Sequence, residues 1–200
     1  MINTIKPYGR WEKICGKGRI IPAFPGAGGC IEGGILDAQL LPRAIQPTTF
    51  GEIGGRKSSR EEALAYIFRK SHIPYQIVPE MHHWQISHLG VIIPLADAYY
   101  QSRHPEKICA NEKLMTLTAY RMKKNLKWIA QKGMLCPAKL YMIKDMPTGM
   151  LARVLSRVYQ SEFGNRFLYR HAMHAPEEFQ RLHQEFYNYM KTHTKESNKA

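Results

Sequence analysis

Ser58-Ser59-Arg60-Glu61-Glu62-Ala63-Leu64-Ala65-Tyr66-Ile67-Phe68-Arg69-Lys70-Ser71-His72-Ile73-Pro74-Tyr75-Gln76-Ile77-Val78 is where the chain changes from a strand-like to a helix-like hydrophobic period. Ser58 and Ser59 stand three residues before Glu61 and Glu62, which makes two overlapping capping boxes: a hydroxyl and a carboxylate can satisfy the first free amides of a helix. Leu64, Ile67 and Phe68 supply a buried stripe for it, and Ile73-Pro74 predicts its end, because the residue before a proline is pushed out of the helical region. Tyr75 to Val78 reads as one further strand, so the segment predicts a strand-helix-strand closing unit.

Upstream, glycine, proline and β-branched residues predict short strands at Arg19 to Phe24, Ile35 to Leu41 and Thr48 to Ile53. Downstream the pattern is helical nearly to the end. A helix from Met81 to about Ser102 must accommodate Pro94, which removes one backbone donor. A second is predicted from Lys107 to Lys132, with Leu114, Leu117, Leu126 and Ile129 on its apolar side and Gly133 as its stop. Pro147 opens a third, with Leu151, Val154, Leu155 and Val158 on one face. Pro176 opens a fourth, with Phe179, Leu182 and Phe186. The tail from Thr192 to Ala200 is polar and is expected to fray. The fold class is α/β followed by all-α, with a boundary near Glu80: a sheet-bearing domain over 1–80 and a helical one over 81–200.

The 200 residues are 44% hydrophobic and 22% charged, a balance that predicts a folded chain. Leu89 to Ala96, the longest apolar candidate, is far shorter than the roughly 20 residues of a membrane span and contains Pro94. Met1 to Arg10 lacks the apolar core of a secretory signal, so a cytoplasmic location is the default expectation. Cysteines 15, 30, 109 and 136 form no Cys-x-x-Cys pair and read as free, mostly buried thiols. A net charge of +13 raises nucleic acid as a partner, but the cations are spread over amphipathic helices. Even the modest concentration at Arg121, Lys123, Lys124, Lys127 and Lys132 reads first as a solvated face, so nucleic acid is disfavoured. Phe179, Phe186, Tyr187 and Tyr189, interleaved with Arg181 and Lys191, have the spacing of a core stripe before that of a base-stacking platform. His82, His83, His88, His171 and His174 show no His-Glu-x-x-His pattern, and no metal is expected.

Several segments in order resemble the ketopantoate reductase (2-dehydropantoate 2-reductase) family. Gly18-Arg19-Ile20-Ile21-Pro22-Ala23-Phe24-Pro25-Gly26-Ala27-Gly28-Gly29 is similar to the strand and loop that begin the second half of that family's nucleotide domain. Gln46-Pro47-Thr48-Thr49-Phe50-Gly51-Glu52-Ile53-Gly54-Gly55 resembles its later strand, and Ser58-Ser59-Arg60 with the following helix its last helix. Met81-His82-His83-Trp84-Gln85-Ile86-Ser87-His88, through Val91-Ile92-Ile93-Pro94-Leu95, resembles the helix that crosses into the carboxy-terminal domain. The resemblance covers about residues 18 to 102.

It implies a partial Rossmann-like sheet, then a helical substrate-binding and dimerisation domain. The implied activity is NADPH-dependent reduction of 2-dehydropantoate or a related 2-keto acid, a step of pantothenate synthesis. The implied partners are NADP, a small keto acid and a second copy met through the carboxy-terminal helices; the alternative is a non-catalytic helical interaction or dimerisation module derived from the family. The family's opening strand and Gly-x-Gly-x-x-Gly turn are not found: Gly26-x-Gly28 has Ile31 at the third glycine's position, so this is not the phosphate loop. By resemblance, Gly26, Gly28 and Gly29 line the cleft near the cofactor, and Trp84, Gln85 and Glu178 are the substrate-binding candidates. The family's proton-donating lysine falls on Ile86 or Gln85, so it is absent; His88, one turn beyond Trp84, is the candidate replacement acid. Ser156, Ser161 and Glu177 are looser candidates, and Glu177 and Glu178 equally suit a helix's first turn.

Overall fold

The computed structural model describes residues 4 to 197, without the side chains of Cys30, Glu32 and residues 195 to 197. The expectations for Ala200 and for the Cys30 thiol therefore lie outside the described residues. The chain divides into two compact units, Met1–Gln85 and Ile86–Ala200. The division falls inside a helix, a few residues beyond the boundary suggested by sequence.

In the first unit a short helix α1 (Gly9–Cys15) precedes strands β1 (Ala23–Phe24), β2 (Ala27–Glu32), β3 (Ile35–Leu40) and β4 (Thr48–Phe50). Helix α2 (Ser59–Lys70), strand β5 (Tyr75–Ile77) and the start of helix α3 (Met81–Gln101) follow. The sheet order is β1-β4-β5, with β1 antiparallel to β4 and β4 parallel to β5. Parallel neighbours joined through α2 make β4-α2-β5 the crossover expected from residues 58 to 78. Ser58 accepts the Glu61 amide at 3.2 Å and so caps α2. The Glu61 carboxylate, however, accepts the Glu52 amide at 3.3 Å, a tertiary bond where the capping box implied a local one.

Phe50, Phe68 and Tyr75 hold this sheet to α2, with ring centroids 5.5 Å (Phe50–Phe68), 6.0 Å (Phe50–Tyr75) and 6.2 Å (Phe68–Tyr75) apart. Ala65 completes the buried set, with Leu64 partly buried; Ile67 is exposed, because the helix turns the 61–65–68 face inward. Two predicted strands are shorter than expected. Arg19 to Phe24 keeps only Ala23–Phe24, since the Arg60 guanidinium takes the Gly18 and Ile20 carbonyls that a strand ladder would use. Thr48 to Ile53 stops at Phe50: a Cβ on Gly51 would lie 1.9 Å from the Val78 carbonyl oxygen, and Gly54 and Gly55 both have positive φ.

Glycines 26 to 29, a loop by the resemblance, instead lead into a hairpin. β2 pairs antiparallel with β3, Gly28 opposite Gln39 and Gly29 opposite Ala38, and the turn is Gly33-Gly34. Both turn residues have positive φ (57° and 80°), as the two-residue turn that matches the twist of its strands requires.

The second unit is helical. After α3 come a 3-10 segment (Pro105–Ala110) and helices α4 (Glu112–Gln131), α5 (Lys139–Asp145) and α6 (Thr148–Gln160). A π-helical segment (Gly164–Tyr169) and helices α7 (Arg170–His174) and α8 (Pro176–Ser197) complete it. The helix predicted from Lys107 starts at Glu112, because the Asn111 side chain accepts the Leu114 amide at 3.1 Å and sets the cap there. Leu117 is 38% exposed; Leu114, Met115, Thr118, Ala119, Met122, Asn125, Leu126 and Ile129 form the buried face instead. In α6, Leu151, Leu155 and Tyr159 are buried and Val154 is exposed. Helix α8 keeps Phe179, Leu182 and Phe186 buried, as predicted, and its helical backbone continues through Thr192 to Ser197 where fraying was expected. Among the described residues no helix is long and apolar enough to cross a membrane.

Pro94 sits inside α3, so its missing N–H leaves the Gly90 carbonyl without its helical donor. Asn125 of α4 supplies one: its side-chain amide donates to that carbonyl at 3.3 Å from a position only 1% exposed. Asn125→Leu should therefore destabilise the chain by about 1–3 kcal/mol in chemical denaturation, the cost of a buried group left unpaired. In a Pro94→Ala background the backbone donor returns, so the same substitution should cost less, and additive effects in the double-mutant cycle would contradict this account.

Glu52, buried in the connection between β4 and α2, receives the Arg60 guanidinium (Nε–Oε1 2.7 Å) and the Ser58 hydroxyl. The bond from Arg60 chiefly holds its carboxyl below the usual carboxylate value, with Ser58 assisting against the opposing effect of burial. A depressed carboxylate stabilises the fold above its unfolded pKa and loses that contribution as pH falls through the folded one. Glu52→Gln should thus be less stable than the parent at pH 7, and the gap should close on acidification below about pH 4. Thermal melts across that range check this.

Candidate functional site

The sequence candidates fall in both units. Trp84, in the second turn of α3, is 3% exposed and packs on Phe24 of β1 with centroids 5.1 Å apart. Gln85 is 2% exposed and its carbonyl accepts the Tyr8 hydroxyl at 2.6 Å. Burial and the neighbouring Glu80 charge push the Tyr8 phenol well above its ordinary value, so it stays a donor. Around this bond lies a cavity of about 110 Å³ lined by Thr4, Tyr8, Trp11, Ile20, Ile21, Pro22, Ala23 and Gln85. Nothing in the local sequence announces Tyr8, which is 77 residues from its partner.

Gly26 is buried, and its amide donates to the Thr48 hydroxyl at 3.0 Å. A Cβ there would lie 2.3 Å from the Thr48 nitrogen, and one on Gly29 2.2 Å from the Asp37 carbonyl oxygen. The chain's own backbone thus fills the space that these two glycines leave. Gly26 precedes β2, and Gly28 and Gly29 lie within it, so none stands at a helix amino terminus. As a pyrophosphate cradle they do not fit. They keep β2 close to β3 and to the start of β4.

In the second unit His88 of α3 is half-buried, and desolvation of its ring, aided by the neighbouring His171, pushes its pKa down to about 3. Burial also lowers the His171 pKa, against an opposing pull from Glu178. The His171 ring meets Phe179 edge-on at 5.1 Å. Tyr100 donates to the Ala172 carbonyl at 2.7 Å, and burial, Asp97 and Glu178 push its phenol up to about 12. Glu178 therefore acts electrostatically on two of these groups from the first turn of α8. Ser156 is engaged with the Cys109 carbonyl (2.8 Å), and Ser161 with the Val158 carbonyl (2.6 Å) and the Gly164 amide (3.1 Å). Glu177 is exposed in that same first turn.

Sequence reasoning missed an ion-pair-like contact between α3 and α8: His183 Nδ1 lies 3.0 Å from Asp97 Oδ1. The two residues are 86 apart, so no spacing could reveal them. Among the described residues, no three His, Cys, Asp or Glu side chains converge as a metal ligand set would.

No family model matches the chain, and no curated protein or solved structure matches it either.

A ring with a pKa near 3 is uncharged at neutral pH and can act there only as a neutral hydrogen-bonding group. NMR titration of the histidine ring protons should show His88 without a charging step between pH 5 and 8. A His88 signal titrating near pH 6.5 would refute a desolvated ring.

Proposed function

We propose that this chain is a ketopantoate reductase-like oxidoreductase polypeptide, contributing the closing part of a Rossmann-like nucleotide sheet and a helical substrate-side domain. One observation supports the reading most: the β4-α2-β5 crossover runs through Pro79-Glu80 directly into the helix carrying Trp84 and Gln85, with Trp84 covered by Phe24 from just before the glycine hairpin. That is the element order which the sequence resemblance implies.

The parent reaction moves hydride from NADPH to the keto carbon of 2-dehydropantoate, with a proton to its oxygen, and yields pantoate. NADP is the cofactor this reading calls for. Binding it through backbone amides at a helix amino terminus requires a glycine loop that these 200 residues do not contain. The lysine's two alignments give Gln85, committed to Tyr8, and Ile86, which is fully buried. The proposed share of the chain is therefore to enclose and orient the keto acid, with His88 as the nearest candidate for a hydrogen bond to it.

The second reading, a non-catalytic module that pairs through its helices, is favoured by the same burial: Trp84 and Gln85 are both occupied in packing. Calorimetric titration of the purified chain separates the two. The reductase reading expects saturable binding of 2-dehydropantoate and weak or undetectable binding of NADPH. No keto-acid binding together with a concentration-dependent dimer would favour the second reading, and tight NADPH binding would overturn the account of the missing phosphate loop.

A further inference from the structure

Helices α3, α4 and α8 enclose a cleft of about 580 Å³ in the second unit. Its volume is that of an ordinary small-molecule site. One wall is a single face of α4, where Leu117, Tyr120, Arg121 and Lys124 recur at helical spacing. The other walls carry Asp97 and Tyr100 from α3 and His183, Tyr187 and Met190 from α8, with Asn125 beneath.

The charges in this cleft do not cancel. Asp97, the acid that lines it, is engaged by His183 at 3.0 Å. Arg121 and Lys124 have neither an ion-pair nor a hydrogen-bond partner among the described residues. Arg121 and Lys124 against Asp97 therefore leave the lining with one more positive than negative charge. Arg121 is half-buried, so its guanidinium is partly stripped of water with no protein anion to replace it. Asp97 also fixes the His183 ring by its Nδ1, which leaves Nε2 as the nitrogen open to a ligand.

The apolar part of the lining is equally unspent. Tyr120 is 56%, Tyr100 41% and Leu117 38% exposed, three large side chains of one cleft left in contact with solvent. The Tyr187 ring lies 4.7 Å from His183 and is pinned by the Asn125 amide at 3.4 Å, so this flat surface is held in place before any ligand arrives. Flat aromatic walls with two free cations match one chemistry: a ring bearing a compact negative group.

We propose that this cleft binds a small aromatic anion, an aryl carboxylate or an aryl phosphate, with Arg121 and Lys124 on the charged group and the tyrosines against the ring. The proposal is independent of the reductase reading. It rests on neither NADP nor the residues around Trp84.

Phenyl phosphate, benzoate, benzyl alcohol and inorganic phosphate, each titrated into the full chain by calorimetry, test it. One aryl anion should saturate at one per chain, about tenfold or more tighter than both benzyl alcohol and inorganic phosphate, and which of the two does so names the anionic group. Arg121→Gln should weaken that binding about tenfold, the worth of one charge-assisted contact, whereas Lys127→Gln, exposed on α4 outside the cleft, should leave it unchanged. Thermal melts establish that both variants fold, and Lys124→Gln serves if Arg121→Gln does not. Failure of both aryl anions to saturate, equal binding of benzyl alcohol, or equal losses in Arg121→Gln and Lys127→Gln would overturn the proposal. Binding of 2-dehydropantoate at the reductase site should survive Arg121→Gln, so the two readings fail separately.

Discussion

The helical unit depends on one carbonyl. Pro94 cannot donate to the Gly90 oxygen, and a buried carbonyl without a partner costs as much as a lost hydrogen bond. Gly90 lets a neighbour approach: a Cβ there would lie 2.7 Å from the Ile129 side chain, so the close packing of α3 and α4 needs that position to be bare. Asn125 then reaches the carbonyl with one amide hydrogen and the Tyr187 hydroxyl with the other (3.4 Å), joining α3, α4 and α8 through one side chain. Burial of this amide is tolerable because both of its donors are used. The same geometry creates the cleft, since Asn125 forms its base and fixes Tyr187 on its wall.

A comparable economy governs the sheet unit, with glycine and arginine in the leading parts. Gly26, Gly29 and Gly51 each stand where a Cβ would strike backbone, and they bring β2, β3, β4 and the residues after β5 into contact distance. Arg60, in the first turn of α2, gathers the Gly18 and Ile20 carbonyls and the Glu52 carboxylate. One side chain thereby fastens the segment leading to β1 against the helix that follows β4. That is why the predicted strand over Arg19 to Phe24 yields most of its length to an irregular segment: its acceptors are satisfied, but not by a ladder.

Local signals were legible in the sequence and tertiary ones were not. The serine cap of α2, the openings at Pro147 and Pro176 and the stop at Gly133 all rest on residues within a few positions of one another. The resemblance reads Gly28 and Gly29 as part of a loop, while their role, close approach to β3, exists only once the strands pair. Leu117 and Ile67 fit the apolar stripes by spacing yet are exposed, since the packed faces are rotated toward Asn125 and Glu61, polar residues that a hydrophobic pattern cannot credit as core. Tyr8 with Gln85 and Asp97 with His183 meet across 77 and 86 residues. Fold class needed only periodicity; the candidate site needed distance.

The surplus of positive charge gains a more specific meaning in three dimensions. Arg121, Lys123, Lys124, Lys127 and Lys132 look alike in sequence, a basic run on one amphipathic helix. Lys123 donates to the Met146 carbonyl at the end of α5, and Lys132 to the His193 carbonyl on α8 at 2.9 Å, so each satisfies a backbone oxygen near a helix terminus. Lys127 is exposed. Arg121 and Lys124 alone of the five line the cleft, one turn apart, beside an aspartate already committed to histidine. A uniform solvated face would distribute these charges without regard to their neighbours. Here Arg121 and Lys124, neither with an ion-pair or hydrogen-bond partner among the described residues, face a shared cavity with aromatic walls.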